Sequence, residues 1–162
     1  MSKSASPPYK ILFVCMGNIC RSPAGEAILQ HQVQERGLAE QFEIDSAGTH
    51  GYHIGELADA RMRRTGERRG YQFLSRSRKL IVEDLERFHL VIPMDYDNLV
   101  RTRALDENPQ ANIKLLSDFL GDDWPDYVPD PYYGGRKGFE FVLEMIEAAC
   151  PGIIEFFIPS PA

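Results

Sequence analysis

Tryptophan occurs once, cysteine three times and histidine four times in 162 residues. Three cysteines without paired spacing do not make the disulfide framework of a small secreted domain. They agree with a reducing compartment, so the cytoplasm is the expected location. His31, His50, His53 and His89 show no metal-ligand pattern. His50 and His53 stand three apart, but Gly51 between them and the missing cysteine or carboxylate partners argue against zinc. No apolar run approaches the ~20 residues needed to span a bilayer. The opening MSKSASPPYK lacks a long apolar stretch before a cleavage site, so residues 1–8 read as a short tail and not a signal peptide. Basic residues are outnumbered, 18 Lys and Arg to 24 Asp and Glu, and the net charge of −6 argues against a nucleic-acid binder. No internal repeat, low-complexity tract or long linker divides the chain, so residues 9–162 are expected to form one domain.

The remaining composition is that of an ordinary globular protein, 43% hydrophobic and 26% charged. Strand-like and helix-like segments alternate, which predicts an α/β fold with a parallel sheet. Residues 9–14 read as a buried strand. Residues 23–36 read as a helix, with Ala24, Ala27, Ile28 and His31 at helical spacing and Gly37 as its stop. Further strands are expected at Phe42 to Ser46, Leu90 to Pro93 and Ile113 to Leu116. Helices are expected at Leu57 to Arg69, briefly at Val82 to Arg87, from an Asp95 cap to about Glu107, and at Phe139 to Ala149. Residues 121–135, rich in Gly, Asp, Pro and Tyr, read as loop. Pro151-Gly152 is expected to stop or bend the last helix.

Seven arginines, Arg61, Arg63, Arg64, Arg68, Arg69, Arg76 and Arg78, fall within 18 residues. They read either as a solvated helix face or as a basic rim that attracts acidic peptides.

The most informative stretch runs from Val14 to Pro23. It sets Cys15 and Arg21 six positions apart, between an apolar run and a helix-start signal. In a chain with 13 arginines that spacing alone is weak; its context gives it meaning. Backbone N–H groups in a loop entering a helix form an anion nest, here from Met16 through Ser22. Gly17 permits close backbone approach, and Asn18 tolerates left-handed dihedrals. Pro23 suits the first helical position with Ser22 as its cap, although Gly25 leaves the capping box incomplete. A helix N-terminus and a nearby cation both favour a thiolate, the nucleophilic form of cysteine. Arg21 offers a planar fork for two phosphate oxygens. The Ser22 hydroxyl can donate to the Cys15 sulfur.

These residues, with Asp45-Ser46-Ala47-Gly48-Thr49 and Asp130-Pro131-Tyr132-Tyr133-Gly134, resemble the motifs of the low-molecular-weight protein tyrosine phosphatases. The three motifs stand in that family's order, and the likeness runs from about Tyr9 to Ala149. It implies a four-stranded parallel sheet with helices on both faces and the site at the carboxyl end of the first strand. It also implies two-step hydrolysis of phosphotyrosine through a phosphocysteine, with inorganic phosphate as product. Tyrosine-phosphorylated proteins would be the partners, of a monomer needing no metal or organic cofactor and touching no membrane. The resemblance assigns the general acid to Asp130, which precedes a proline and sits among Val128, Tyr132 and Tyr133. Tyr132, Tyr133 and Tyr52 are candidates for the mouth, or ordinary surface aromatics; in eukaryotic relatives the paired tyrosines are also phosphorylated. Cys20 would form a reversible disulfide with Cys15, or simply pack the loop as a small side chain. Cys150 reads as a buried apolar residue. Many relatives carry a histidine where this chain has Ser75, so bracing of Asn18 is expected from Ser46 instead.

Two reactions on the same scaffold compete. Thioredoxin-coupled arsenate reductases use two further mid-chain cysteines, and residues 21–149 contain none. Protein-arginine phosphatases tend to carry threonine where this loop has Ile19, whose methyl group would crowd a phosphoguanidinium and tolerate a flat phenol. A non-catalytic phosphoprotein-binding or redox-sensing module would be marked by loss of the nucleophile, the arginine or the acid, and all three are present.

Overall fold

Ile11, Leu12, Phe13 and Val14 are wholly buried in the first strand, Tyr9–Cys15 (β1). A strand apolar on both sides needs cover on both faces. A computed structural model, describing residues 5–131 and 134–159, shows that cover. The other strands are Phe42–Gly48 (β2), Leu90–Pro93 (β3) and the short Asn112–Ile113 (β4). All pair in parallel, in the order β2-β1-β3-β4. The expected four-stranded parallel sheet with helices on both faces is therefore present.

The helices are Arg21–Glu35 (α1), Ala60–Glu67 (α2), Asp84–Arg87 (α3), Tyr96–Arg103 (α4) and Gly135–Phe157 (α5). Ile11, Phe13 and Ile92 point into the core shared with α1 and α5, whereas Leu12, Val14 and Val91 face Leu85 and Phe88 across the sheet. β1 sits between β2 and β3, so the chain leaves the sheet in opposite directions at its carboxyl end. That switch point is where open parallel sheets hold ligands.

Three expectations are corrected. First, Ser22 is not the cap of α1: Cys20 holds the N-cap position without a side-chain cap bond, and Pro23 is the third helical residue. The helix starts two residues early because the Ser22 hydroxyl has partners in the loop. Second, the apolar run from Ile113 does not continue as a strand. The Asp118 carboxylate accepts from Leu115 N at 2.9 Å and turns the chain into a 3-10 helix, Leu116–Phe119.

Third, Pro151 does not stop the last helix, which runs through it to Phe157. A proline lacks the N–H that would bond the carbonyl four residues back. Here that carbonyl, Glu147 O, accepts from Gln32 Nε2 of α1 at 3.2 Å. Gly152 then brings the helix against Phe119, whose carbonyl would lie 3.3 Å from any Cβ at that position. The start of α5 at Gly135 also shortens the expected loop, and α2 is shorter at both ends than the expected Leu57 to Arg69.

Candidate active site

Cys15 is the last residue of β1 and Arg21 the first of α1. Residues 16–20 form the turn between them. Asn18 takes a left-handed backbone, φ 57°. Among the described residues, no acceptor engages the backbone N–H groups of Met16 to Cys20. The turn thus keeps donors available at the positive end of a 15-residue helix. Gly48, opposite Cys15 in the sheet register, allows the turn to lie on β2; a Cβ there would stand 2.8 Å from Met16 O. Gly17 has no left-handed backbone. Its missing side chain matters because a Cβ would meet the His53 ring at 3.1 Å.

The Cys15 sulfur lies 2.9 Å from Ser22 Oγ. The Asn18 amide donates to Ser22 Oγ at 2.8 Å and to Ser46 Oγ at 3.0 Å. Ser46 donates onward to Glu26 Oε1 at 2.6 Å, and Ser75 donates to the same oxygen at 2.9 Å. On its carbonyl side Asn18 accepts from Arg78 N at 3.0 Å, which fixes the amide's orientation. The Ser22 hydroxyl, which accepts from Asn18, has two acceptors within reach, the Cys15 sulfur at 2.9 Å and Ala47 O at 3.4 Å, and the sulfur is the nearer. Burial pushes the Glu26 carboxyl above the ordinary carboxylate range, against the opposing serine hydrogen bonds. The Gly17 carbonyl accepts from Ser77 Oγ at 3.0 Å, a second brace on the turn.

Arg21 is 3% exposed. One nitrogen donates to Asp95 Oδ2 at 2.7 Å and to Val128 O at 3.0 Å. The other lies 4.0 Å from Asp130 Oδ2. Burial alone would lower the guanidinium's pKa, but the facing Cys15 and Asp95 outweigh it and raise it further. Asp130 is 43% exposed, at the mouth of a cleft of about 230 Å³. Cys15, Gly17 and Arg21 line the floor side of this cleft; Ile19, Tyr52 and His53 line its walls. Tyr52, 68% exposed, stacks on the His50 ring at 5.1 Å and 15°. His53 Nδ1 pairs with Glu56 at 2.8 Å. Cys20 also borders the cleft, and burial first, then Asp59, Cys15 and Asp130, pushes its thiol pKa up. Cys150 is wholly buried in α5. Tyr132 and Tyr133 lie outside the described residues.

The structure therefore brings Cys15, Met16, Gly17, Ile19, Cys20, Arg21, Asp130 and Tyr52 to one cleft, with Asn18 and Ser22 buried behind it. Ser46 stands behind the turn. Sequence reasoning missed Glu26, His53, Ser77 and the second duty of Asp95. Only Asp95 had a signal, its reading as a helix cap. A turn that keeps its backbone donors available, with an adjacent thiol, a fixed arginine and a half-exposed carboxylate, has the groups needed to attack a phosphoryl group, hold its oxygens and protonate what leaves.

The family model for low molecular weight phosphotyrosine protein phosphatase matches residues 10–157. A low molecular weight protein-tyrosine-phosphatase of Streptomyces coelicolor is 42% identical over 152 residues, covering 90% of this chain and 92% of its own. A protein tyrosine phosphatase from Entamoeba histolytica, solved with Hepes in its active site, superposes with a TM-score of 0.87 at 44% identity; the match covers 91% of this chain and 96% of that one. An arginine phosphatase of Drosophila has the same TM-score at 30% identity, over 94% and 99% of the two chains. No helix among the described residues is long and apolar enough to cross a membrane. The chain belongs to the low molecular weight phosphotyrosine protein phosphatase family, whose members are hydrolases.

Proposed function

We propose that this protein hydrolyses phosphotyrosine in proteins through a phosphocysteine on Cys15. The observation that carries this reading is the Cys15 sulfur at a helix N-terminus, 2.9 Å from the Ser22 hydroxyl, with Arg21 and Asp130 at the same cleft. In the first step the Cys15 thiolate attacks phosphorus and the phosphorus–aryl-oxygen bond breaks. Arg21 and the turn's N–H groups hold the equatorial oxygens, and Asp130 gives its proton to the departing phenol. In the second step water attacks phosphorus and loses a proton to Asp130. The sulfur–phosphorus bond breaks, and the Ser22 hydroxyl donates to the leaving thiolate. Inorganic phosphate departs.

The exposed Tyr52, stacked on His50, suits an aromatic leaving group at the mouth. The same reading takes Cys20, which borders the cleft with Cys15, as the partner for a reversible disulfide under oxidation. The likeness to an arginine phosphatase makes phosphoarginine a second reading. Ile19 in the wall disfavours it, because its methyl group narrows the cleft for a guanidinium carrying several donors. Kinetics on phosphotyrosine, phosphoserine and phosphoarginine peptides, side by side, test the assignment. Phosphotyrosine is expected to lead in kcat/KM; a lead for phosphoarginine would overturn it.

A further inference from the structure

A second pocket, of about 250 Å³, is lined by Arg61, Arg64 and Arg68 of the α2 region and by Arg136 at the start of α5. Thr65 and Phe139 form its back. Along α2 and its C-terminal cap residue, Arg68, the first three fall at i, i+3 and i+7, on one face. Arg61 is engaged: it pairs with Asp59 at 3.0 Å and lies 5.0 Å over the Phe139 ring. Arg64, Arg68 and Arg136 are exposed, and no carboxylate pairs with them among the described residues. The acids on the facing stretch of α5 are already spoken for, since Arg69 binds Glu140 at 2.6 Å, Glu144 at 3.4 Å and Glu147 at 2.8 Å.

Three uncompensated guanidinium groups around one pocket repel one another, and on a chain of net charge −6 they form a local reversal of sign. Arginine forks match planar oxyanions, and carboxylates in particular. The pocket is also coupled to the phosphate turn by short links. Arg61 bonds Asp59, and Asp59 N donates to Ile19 O at 2.7 Å within the turn. On its other side, Arg136 follows Asp130 by six residues along the chain.

We propose that this pocket is a docking subsite for acidic side chains flanking the phosphotyrosine of the substrate, so that Arg64, Arg68 and Arg136 select carboxylate-rich segments. The inference rests on the phosphotyrosine reading of the Cys15 cleft and names the substrate class within it. Exposed ion pairs are individually weak, and three acting together give a preference of about five- to tenfold. That preference weakens at high salt, because these charges are solvent-exposed.

The test compares three substrates on the full chain: p-nitrophenyl phosphate, a phosphotyrosine peptide with flanking glutamates, and the same peptide with glutamines. The expected KM is about five- to tenfold lower for the glutamate peptide than for the glutamine peptide, with kcat alike, and the gap closes in 0.5 M salt. In Arg64→Gln/Arg68→Gln/Arg136→Gln the gap disappears while p-nitrophenyl phosphate turnover is unchanged, which also shows that the variant is folded. Equal KM for the two peptides, or a gap that survives in the variant, overturns the subsite and leaves the phosphatase reading standing. No turnover of any of the three substrates ends the phosphatase reading, and the subsite with it.

Discussion

Asp95 holds Arg21 with one carboxylate oxygen and the start of α4 with the other. Its Oδ2 accepts from Arg21 Nη1 at 2.7 Å, and its Oδ1 accepts from Asn98 N at 2.8 Å. One side chain therefore fixes the arginine's fork against a rigid helix cap. Asp95→Asn retains a good cap, so the unfolding temperature should move little. It removes the charge-assisted bond to Arg21, about 1.5–3 kcal/mol, or roughly tenfold to hundredfold in kcat/KM. Steady-state kinetics with a thermal melt separates the two; a large melt shift with normal kcat/KM would reverse the assignment.

Asp130 carries the proton in the proposed reaction, and it stands half-exposed at the mouth. Asp130→Ala should lower kcat by about 10²–10⁴ for phenyl phosphates with basic leaving groups. The loss should shrink for nitrophenyl groups, which depart without a proton. A leaving-group series measures this, and an equal loss across the series would argue against the acid role.

Glu26 is the half-buried end of the hydrogen-bond chain that runs through Ser46 and Asn18 to Ser22. Its folded pKa is raised by burial, so the folded state holds that proton more tightly than the unfolded chain does. The cost of ionising it is absent below the unfolded carboxylate range and is fully felt above the raised folded value. Glu26→Gln should therefore be more stable than the wild type at neutral pH, with the gain vanishing as pH falls below about 4. Urea unfolding at both pH values tests this; a gain independent of pH would mean that packing, and not charge, is responsible.

Gln32 stands in for the N–H that Pro151 lacks, by donating to Glu147 O. Gln32→Ala should cost about 1 kcal/mol in the wild type, since it leaves a carbonyl without its donor. In a Pro151→Ala background the restored N–H takes over, and the same change should cost much less. A double-mutant cycle by thermal unfolding reads the coupling; strictly additive costs would show that the Gln32 bond does not support the helix.

What the sequence disclosed and what it hid divide along chain distance. Cys15, the turn and Arg21 are neighbours in sequence, so their chemistry was readable from spacing and composition. The sheet was readable because β1 and β3 are short continuous apolar runs. Asp95 meets Arg21 across 74 residues, and Ser75 meets Glu26 across 49. No local pattern announces such pairs. The helix through Pro151 was misread for the same reason: the rescuing donor, Gln32, comes from another helix, 115 residues from the carbonyl it bonds. Ser22 was misread as a cap because its residue type suits that role; its real partners are a sulfur at one end of the turn and an amide in its middle.

The covalent step on Cys15 is the centre of the account, and rapid quench addresses it directly. The enzyme is mixed with a phosphotyrosine peptide labelled on phosphorus, stopped within milliseconds, and digested for mass analysis. The account predicts label on the peptide bearing Cys15, rising and decaying as phosphate is released, and none in Cys15→Ser, which should still bind phosphate. Steady phosphate release with no labelled cysteine, or turnover by Cys15→Ser, would contradict it.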